Sequence, residues 1–272
     1  MKVMSRFRDS ELSKKIIDKI YSILDSSRKY SIMEVCGTHT MAISRLGIRD
    51  ALPKNINLIS GPGCPVCVTP QGEIDAIFNL LEKNDITLCA YGDMMRVPGS
   101  SGKNLLDYKS RGHDVRVVLS CLDVLKVSKE STKDVVFVSI GFETTNPTVA
   151  ALMEILVKNR VKNTSIMLLN KTMPEVLGVL LEDKFLNIDG FLCPGHVSVI
   201  TGTSLYEPIV KKKKAAVITG FEPVDILSSI HEIIRQVSSN EYRVVNNYPR
   251  TVKQEGNNKD GYYRKKWASY KG

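Results

Sequence analysis

Eight short apolar runs, separated by longer segments with helical periodicity, constrain the fold of this chain most. The runs are four to six residues long and apolar almost throughout, which is typical of strands buried on both faces of a sheet. Short strands joined by helices form parallel sheets, because a parallel pair needs a long crossover connection. The pattern therefore predicts an α/β fold. The predicted strands occupy residues 32–35, 56–59, 86–91, 115–119, 135–140, 165–169, 190–193 and 215–219.

A weak internal repeat suggests how these strands are divided. Residues 35–40 align with residues 140–145, and residues 122–125 align with residues 224–227, at a nearly constant offset of about 100 residues. We therefore expect two similar parallel-sheet domains of about four strands each, with a cleft between them. The predicted boundaries are an N-terminal helix in residues 1–30, domains in residues 31–130 and 131–240, and a C-terminal tail in residues 241–272.

Charge and hydropathy exclude two classes of partner. The net charge is +9, but residues 241–272 carry eight Lys or Arg against three Asp or Glu, so the first 240 residues carry only +4. This distribution does not predict a nucleic-acid surface. No stretch approaches the roughly 18 apolar residues of a membrane span, and residues 1–9 lack the apolar segment of a signal peptide. We expect a cytoplasmic protein without membrane partners.

Most of the chemically unusual residues follow directly after a predicted strand. They lie in residues 36–40, 61–67, 92–96, 141–145 and 193–196. In parallel α/β sheets, ligands bind at the carboxyl ends of the strands. The sequence therefore predicts that the functional groups gather at this edge of each sheet.

The C-x-x-C motif of Cys64 and Cys67 is the strongest chemical signal. Its two thiols lie in residues 61–67 between prolines and glycines that stiffen the loop. In the reducing cytoplasm, cysteines serve metal binding or redox chemistry more often than structural disulfides. Three uses remain open: a redox dithiol, half of a zinc site, or part of a redox-metal site shared with Cys36.

Cys36 lies where the first strand gives way to a helix. Backbone N–H groups and the helix dipole at such a junction lower the pKa of a thiol, so the sequence predicts a thiolate at Cys36. A thiolate is a nucleophile and a soft metal ligand. The alternative is a buried strand cysteine without a chemical role.

Several further residues are site candidates of lower rank. Cys193 and His196 close the seventh strand and either bind a ligand or line the cleft, and Glu143 is an acid or a helix cap at the end of the fifth. Taken together, the sequence predicts catalytic roles for Cys64, Cys67, His39 and Glu143, cofactor contacts for Thr144, Thr145, Cys193 and His196, and metal ligation by Cys36, Cys64 and Cys67.

Four of these motifs together resemble one family. Their sequences are Cys-Gly-Thr-His-Thr, Gly-Pro-Gly-Cys-Pro-Val-Cys, Gly-Phe-Glu-Thr-Thr and Cys-Pro-Gly-His-Val-Ser, in residues 36–40, 61–67, 141–145 and 193–198. In order and spacing they resemble the hydrogenase maturation protein HypD family over residues 10–256.

The resemblance implies a scaffold on which the iron centre of [NiFe]-hydrogenase acquires its cyanide and carbonyl ligands, as Fe(CN)2CO. Cys36 would bind iron together with a cysteine of a small HypC-like chaperone, while a HypE-like protein donates cyanide. Cys64 and Cys67 would supply electrons or additional ligands. Soft thiolates suit low-valent iron. Such a protein is a scaffold with redox-active cysteines rather than a conventional enzyme.

One expected cofactor has no counterpart in the sequence. The resemblance implies four C-terminal cysteines that hold a [4Fe-4S] cluster, whereas no cysteine follows Cys193. The tail is therefore expected to be truncated relative to the family. Two alternative functions are a stand-alone dithiol-disulfide oxidoreductase and a non-catalytic remnant that only binds partners.

Overall fold

A computed structural model describes residues 7–257 and contains eleven α-helices in that range. They are numbered here in chain order. The helices are α1 (Ser10–Ile23), α2 (Gly37–Arg45), α3 (Ile48–Ala51), α4 (Gln71–Lys83), α5 (Leu105–Ser110), α6 (Val124–Glu130), α7 (Asn146–Lys158), α8 (Met173–Glu182), α9 (Gly195–Thr201), α10 (Glu207–Lys211) and α11 (Pro223–Ser239).

The strands form two sheets in which every pairing is parallel. The order is β2-β1-β7-β8-β9 in the five-stranded sheet and β4-β3-β5-β6 in the four-stranded sheet. The predicted α/β class with two parallel sheets is therefore confirmed. The strands are β1 (Tyr30–Glu34), β2 (Ile56–Ser60), β3 (Ile86–Tyr91), β4 (Asp114–Val118), β5 (Asp134–Ser139), β6 (Thr164–Leu168), β7 (Gly190–Pro194), β8 (Ala215–Thr219) and β9 (Val244–Asn246).

The chain divides into two compact units, and the first of them is discontinuous. Of the described residues, 7–64 and 173–257 form unit 1, which contains the five-stranded sheet, and residues 65–172 form unit 2. The expected boundary between residues 130 and 131 is thus not where the sheets divide. The first predicted domain contains strands of both sheets. The chain leaves the five-stranded sheet after β2, forms β3–β6 of the other sheet, and then returns as β7, which pairs with β1.

The flanking segments of the predicted division also differ. Helix α1 is part of unit 1, where Ile20 packs with residues of α11 in one apolar core. Of the predicted tail, residues 244–246 form β9 at the edge of the five-stranded sheet. The remainder of the tail, residues 258–272, lies outside the described residues.

Both faces of each sheet are covered by helices. In unit 1, Leu192 and Val217 face a core shared with α1, α2 and α11, whereas Phe191 and Ile218 face a second core that includes α8 and α10. In unit 2, one face packs against α4 and α5 and the other against α7. Burial on both faces explains why these strands read as uninterrupted apolar runs.

Each sheet has one point where the strand order reverses. In unit 1 the chain runs from β1 to β2 and later returns to β7 on the other side of β1. In unit 2 it runs from β3 to β4 and then to β5 on the other side of β3. Crevices form at such switch points beyond the carboxyl ends of the strands, which makes them the default ligand sites of the fold.

Candidate functional site in unit 1

Cys36 lies at the switch point of the five-stranded sheet, between β1 and the first turn of α2. It occupies the N-cap position of α2 with an extended backbone, and 4% of its surface is exposed. Just before it, the buried carboxylate Oε1 of Glu34 accepts a hydrogen bond of 2.7 Å from Thr40 Oγ1. This bond joins the end of β1 to the first turns of α2 and holds the backbone on both sides of the thiol.

The loop that begins at Gly61 packs directly on the Cys36 backbone. Gly61 N–H donates to the Glu34 carbonyl over 2.8 Å, and Gly37 N–H donates to the Gly63 carbonyl over 3.4 Å. A Cβ atom at Gly63 would lie 2.3 Å from Cys36 Cα, closer than any non-bonded carbon pair can approach. Glycine is thus required at this position, and the close approach brings Cys64, the next residue, to the Cys36 side of unit 1.

His196 is the second side chain at the Cys36 thiol. It lies in the first turn of α9, which follows β7, and its Nδ1 is 4.0 Å from Cys36 Sγ. Burial lowers the pKa of His196, so the imidazole is neutral at neutral pH. A neutral imidazole next to a thiol can accept its proton when the sulfur binds an electrophile.

His39 is fully buried, and its contacts join α2 to the end of β8. Its Nε2 donates to the Gly220 carbonyl over 3.0 Å, while its Nδ1 has no hydrogen-bond partner among residues 7–257. Burial lowers the pKa of His39 to about 4. The ring stacks on Phe221 with a centroid distance of 4.6 Å and an interplanar angle of 30°.

A buried ion pair packs against the backbone segments that carry His196 and Phe221, and its guanidinium lies over an aromatic ring. Asp225 is 2% exposed and accepts two hydrogen bonds from Arg250, whose guanidinium lies 4.3 Å from the centroid of the Tyr248 ring. Added Cβ atoms would lie 2.2 Å from Asp225 Oδ2 at Gly220 and 2.7 Å from Tyr248 Cδ1 at Gly195. These side chains thus support the backbone from which His196 and Phe221 project.

The thiol chemistry of Cys36 differs from the expectation based on its position. Burial raises the pKa of Cys36, and the Glu34 carboxylate raises it further, although hydrogen bonds from His39 and Thr38 act in the opposite direction. The prediction of a lowered pKa was wrong, because the cost of burying the charge outweighs the helix N-terminus at this junction. Cys36 is a thiol until a metal or a base takes its proton.

Cys193 does not reach this site. The strand β7 extends through Pro194, and the alternation of its side chains directs Cys193 into the fully buried core with Phe191 and Ile218. Its Sγ lies 3.8 Å from the Phe191 carbonyl oxygen, and burial strongly raises the pKa of its thiol. The expected cofactor contact at Cys193 is therefore replaced by a packing role.

Three other candidates lie in unit 2. Thr144 and Thr145 line a cavity of about 510 Å³ at the carboxyl ends of β3, β4 and β5, together with Tyr91 and Cys121. Glu143 is buried next to them, with 4% of its surface exposed. These residues lie at the switch point of the four-stranded sheet, as expected for residues that follow a strand, but the sheet is not the one that carries Cys36.

The two cysteines of the C-x-x-C motif differ in their surroundings. Cys64 is half-buried and Cys67 is exposed, and the boundary between the two units falls between Cys64 and Pro65. Within residues 7–257 no group of three or more His, Cys, Asp or Glu side chains is arranged to hold a metal ion. At the switch point of unit 1 the structure thus brings one thiol, that of Cys36, next to one imidazole, that of His196, which is an incomplete ligand set.

Sequence reasoning did not identify Phe221 or Glu34. The Gly-Phe-Glu triplet of residues 220–222 is repeated at residues 141–143, and this repetition was the available signal. Sequence reasoning selected only the glutamate of the copy at residues 141–143, Glu143, whereas in unit 1 the phenylalanine of the triplet contacts the site. Glu222 instead forms a bidentate ion pair with Arg8, with distances of 2.6 and 2.8 Å.

Comparisons with known proteins agree with the four motifs. The family model described as "HypD: Hydrogenase formation hypA family" matches residues 11–266. The chain belongs to the HypD family. Its members take part in hydrogenase maturation, and this role extends to the chain as a family member.

Named relatives give the extent of the similarity. Hydrogenase maturation factor HypD2 of Bradyrhizobium diazoefficiens is 43% identical over 94% of this chain and 70% of its own length. HypD of Rhizobium leguminosarum bv. viciae is 43% identical over 95% of this chain and 69% of its own length. HypD of Cupriavidus necator is 40% identical over 94% of this chain and 70% of its own length.

In the described part of the chain, no helix has the length and apolar character needed to cross a membrane.

Proposed function

We propose that this HypD-family chain is a scaffold that binds iron at Cys36 while the Fe(CN)2CO centre of [NiFe]-hydrogenase is assembled. The observation that carries the proposal is the pairing of the Cys36 thiol with the His196 imidazole, 4.0 Å apart, at the switch point of a parallel sheet. A soft sulfur donor suits low-valent iron with carbonyl and cyanide ligands. Iron is the cargo of this scaffold and not its resident cofactor.

The protonated state of Cys36 suits transient binding. Because burial raises the pKa of the thiol, the metal-free site avoids a buried, uncompensated charge. When iron binds, the sulfur loses its proton, and the neutral His196 imidazole is within reach to accept it. Release of the finished centre would return the proton to sulfur. The site is thus suited to load and unload metal.

The incomplete ligand set favours a partner that supplies a further donor. No cluster of three or more ligating side chains occurs in residues 7–257, so one thiol and one imidazole leave iron positions open. A cysteine of a HypC-like chaperone would fill one of them, and a HypE-like protein would deliver cyanide to others. We expect this assembly in the cytoplasm, where the thiols stay reduced.

We assign electron transfer to the pair Cys64 and Cys67. Oxidation of both thiols to a disulfide releases two electrons and two protons, and the C-x-x-C spacing permits that ring to close. The exposure of Cys67 would let a reductant or a partner reach the pair. The sequence of 272 residues contains no cysteine after Cys193, and the proposal includes no step through a [4Fe-4S] cluster.

Anaerobic titration with ferrous iron in the presence of the HypC-like partner tests the assignment. The Cys36→Ala variant should lose the iron complex, whereas Cys193→Ala, which removes a core thiol of the same unit, should retain it. Iron binding by Cys36→Ala at the wild-type level would refute the proposal.

The exposure of Cys67 also supports a second candidate function, a stand-alone dithiol-disulfide oxidoreductase. Reduction of a protein disulfide by that enzyme would be lost in Cys64→Ser but kept in Cys36→Ala. The scaffold proposal expects no such turnover in either variant. A chain that binds the HypC-like partner without loading iron would instead be a partner-binding remnant.

A further inference from the structure

The ring of Phe221 lies between two imidazoles of the candidate site. Its centroid is 4.6 Å from the centroid of His39 and 5.4 Å from that of His196, with interplanar angles of 30° and 41°. Phe221 follows β8, His39 lies in α2, and His196 lies in α9. One side chain therefore contacts rings from the two helices that flank the Cys36 thiol.

The His39 side of this stack is rigid. His39 is fully buried, and its Nε2 donates to the carbonyl of Gly220, the residue just before Phe221. The hydrogen bond and the ring contact therefore both connect α2 to residues 220–221, and together they hold the position and the tilt of the Phe221 ring. Paired aromatic and imidazole rings of this kind keep a preferred separation and angle.

The His196 side of the stack is the adjustable one. His196 is half-buried, and within residues 7–257 its ring lies against the Phe221 ring, with its Nδ1 4.0 Å from the Cys36 sulfur. A sulfur contact of 4.0 Å is too long to orient a ring alone. The position of the imidazole against the thiol then depends on the ring behind it.

We propose that Phe221 is a positioning residue that holds the His196 imidazole against the Cys36 thiol. It touches neither the sulfur nor the cargo in this role and acts only through His196. The inference rests on the proposed function in taking Cys36 as the working thiol. It goes further by naming a residue, outside the four family motifs of the sequence, that determines how that thiol reacts.

Thiol reactivity in the metal-free protein tests this inference without iron. The rate at which iodoacetamide alkylates Cys36 is measured by mass spectrometry of the Cys36 peptide in the reduced, folded chain. The thiolate is the attacking species, so loss of the imidazole contact slows the reaction. We expect Phe221→Leu and His196→Ala each to slow it about fivefold.

A double-mutant cycle separates positioning from a general packing effect. If Phe221 acts through His196, the double variant Phe221→Leu/His196→Ala reacts no more slowly than His196→Ala alone. Phe221→Tyr keeps the ring and should restore the wild-type rate. Phe185→Leu is the matched control, because the same substitution at a ring that is 98% exposed should change nothing.

Two outcomes would overturn the inference. One is a wild-type alkylation rate in Phe221→Leu, and the other is an equal slowing by Phe221→Leu with and without His196. Alkylation of Cys193, which is fully buried, reports any unfolding, and Phe221→Met replaces a variant that does not fold. Failure of the wild-type chain to bind iron at Cys36 would refute the proposed function alone, since the alkylation rates involve no metal.

Discussion

The contact between Gly63 and Cys36 gives a quantitative prediction. Replacing Gly63 by alanine adds one methyl group that would lie 2.3 Å from Cys36 Cα, 2.4 Å from its nitrogen and 2.7 Å from its carbonyl carbon. All three atoms belong to the backbone, so no side-chain rotation relieves the overlap. The loop must move by about 1 Å to reach an ordinary van der Waals distance.

The energetic cost follows from what that movement breaks. Overpacking by one methyl group in a well-packed region costs about 1–3 kcal/mol. Displacement of the loop also lengthens the hydrogen bond from Gly37 N–H to the Gly63 carbonyl, already 3.4 Å long, whose loss costs about 0.5 kcal/mol. We therefore expect Gly63→Ala to lower the free energy of unfolding by about 1.5–3.5 kcal/mol.

Urea unfolding followed by circular dichroism measures this change, with Gly178→Ala as the control. Gly178 lies in α8 of the same unit, and an added Cβ there has no atom within 4 Å. Alanine at this helical position should stabilise the protein by about 0.5–1 kcal/mol. If Gly63→Ala did not lower the free energy of unfolding relative to the wild type, the close packing of residues 61–64 on Cys36 would be refuted.

Three further predictions concern the surroundings of the site. Asp225→Asn should lower the free energy of unfolding by about 2 kcal/mol, because it replaces the charged partner of Arg250 at a position 2% exposed, and an unchanged urea midpoint would contradict this. His39 has a pKa of about 4 in the folded state against its ordinary 6.5, so the unfolded state binds the extra proton between these values. As the pH is lowered from 6.5 toward 4, the free energy of unfolding should therefore decrease by up to about 1.4 kcal/mol per pH unit. Urea midpoints across this pH range should vary less in His39→Gln than in the wild type. Cys193→Ala should lower stability by about 1 kcal/mol without changing Cys36 alkylation, and slower alkylation would show that Cys193 belongs to the site after all.

The strands were predictable because burial on both faces leaves a local signature. The predicted run 86–91 coincides with β3 (Ile86–Tyr91), and the run 215–219 coincides with β8 (Ala215–Thr219). Strand β9 was missed because its three half-buried residues are too few for a pattern. The local sequence therefore locates a strand when the strand is long enough for its buried side chains to form a recognisable apolar run.

Strand pairing was not predictable in the same way. In a parallel sheet, neighbours in space are joined by crossovers of any length, and the apolar run of β1 contains no information that its partner is β7. Dividing the strands in chain order therefore produced a boundary near residue 130, whereas the chain enters unit 2 after Cys64 and leaves it before Met173.

The site was predicted in part, for the same reason. The rule that ligands bind beyond the carboxyl ends of strands selected Cys36 and His196, and the structure places their side chains 4.0 Å apart, because each position depends only on where a strand ends. The pKa of Cys36 depends on burial by segments distant in sequence, so its direction could not be read from the junction alone. The contact of Phe221 with two histidines depends on two helices, α2 and α9, meeting the segment that follows β8, and no single motif contains it.

X-ray absorption at the iron edge tests the central claim, iron ligation by Cys36, most directly. Ferrous iron is loaded anaerobically on the complex of this chain with its HypC-like partner, and the sulfur donors are counted in the extended fine structure for the wild type and for Cys36→Ala. We predict two sulfur donors in the wild type, one from each protein, and loss of one or of all bound iron in Cys36→Ala. An identical sulfur count and iron content in both samples would contradict the account.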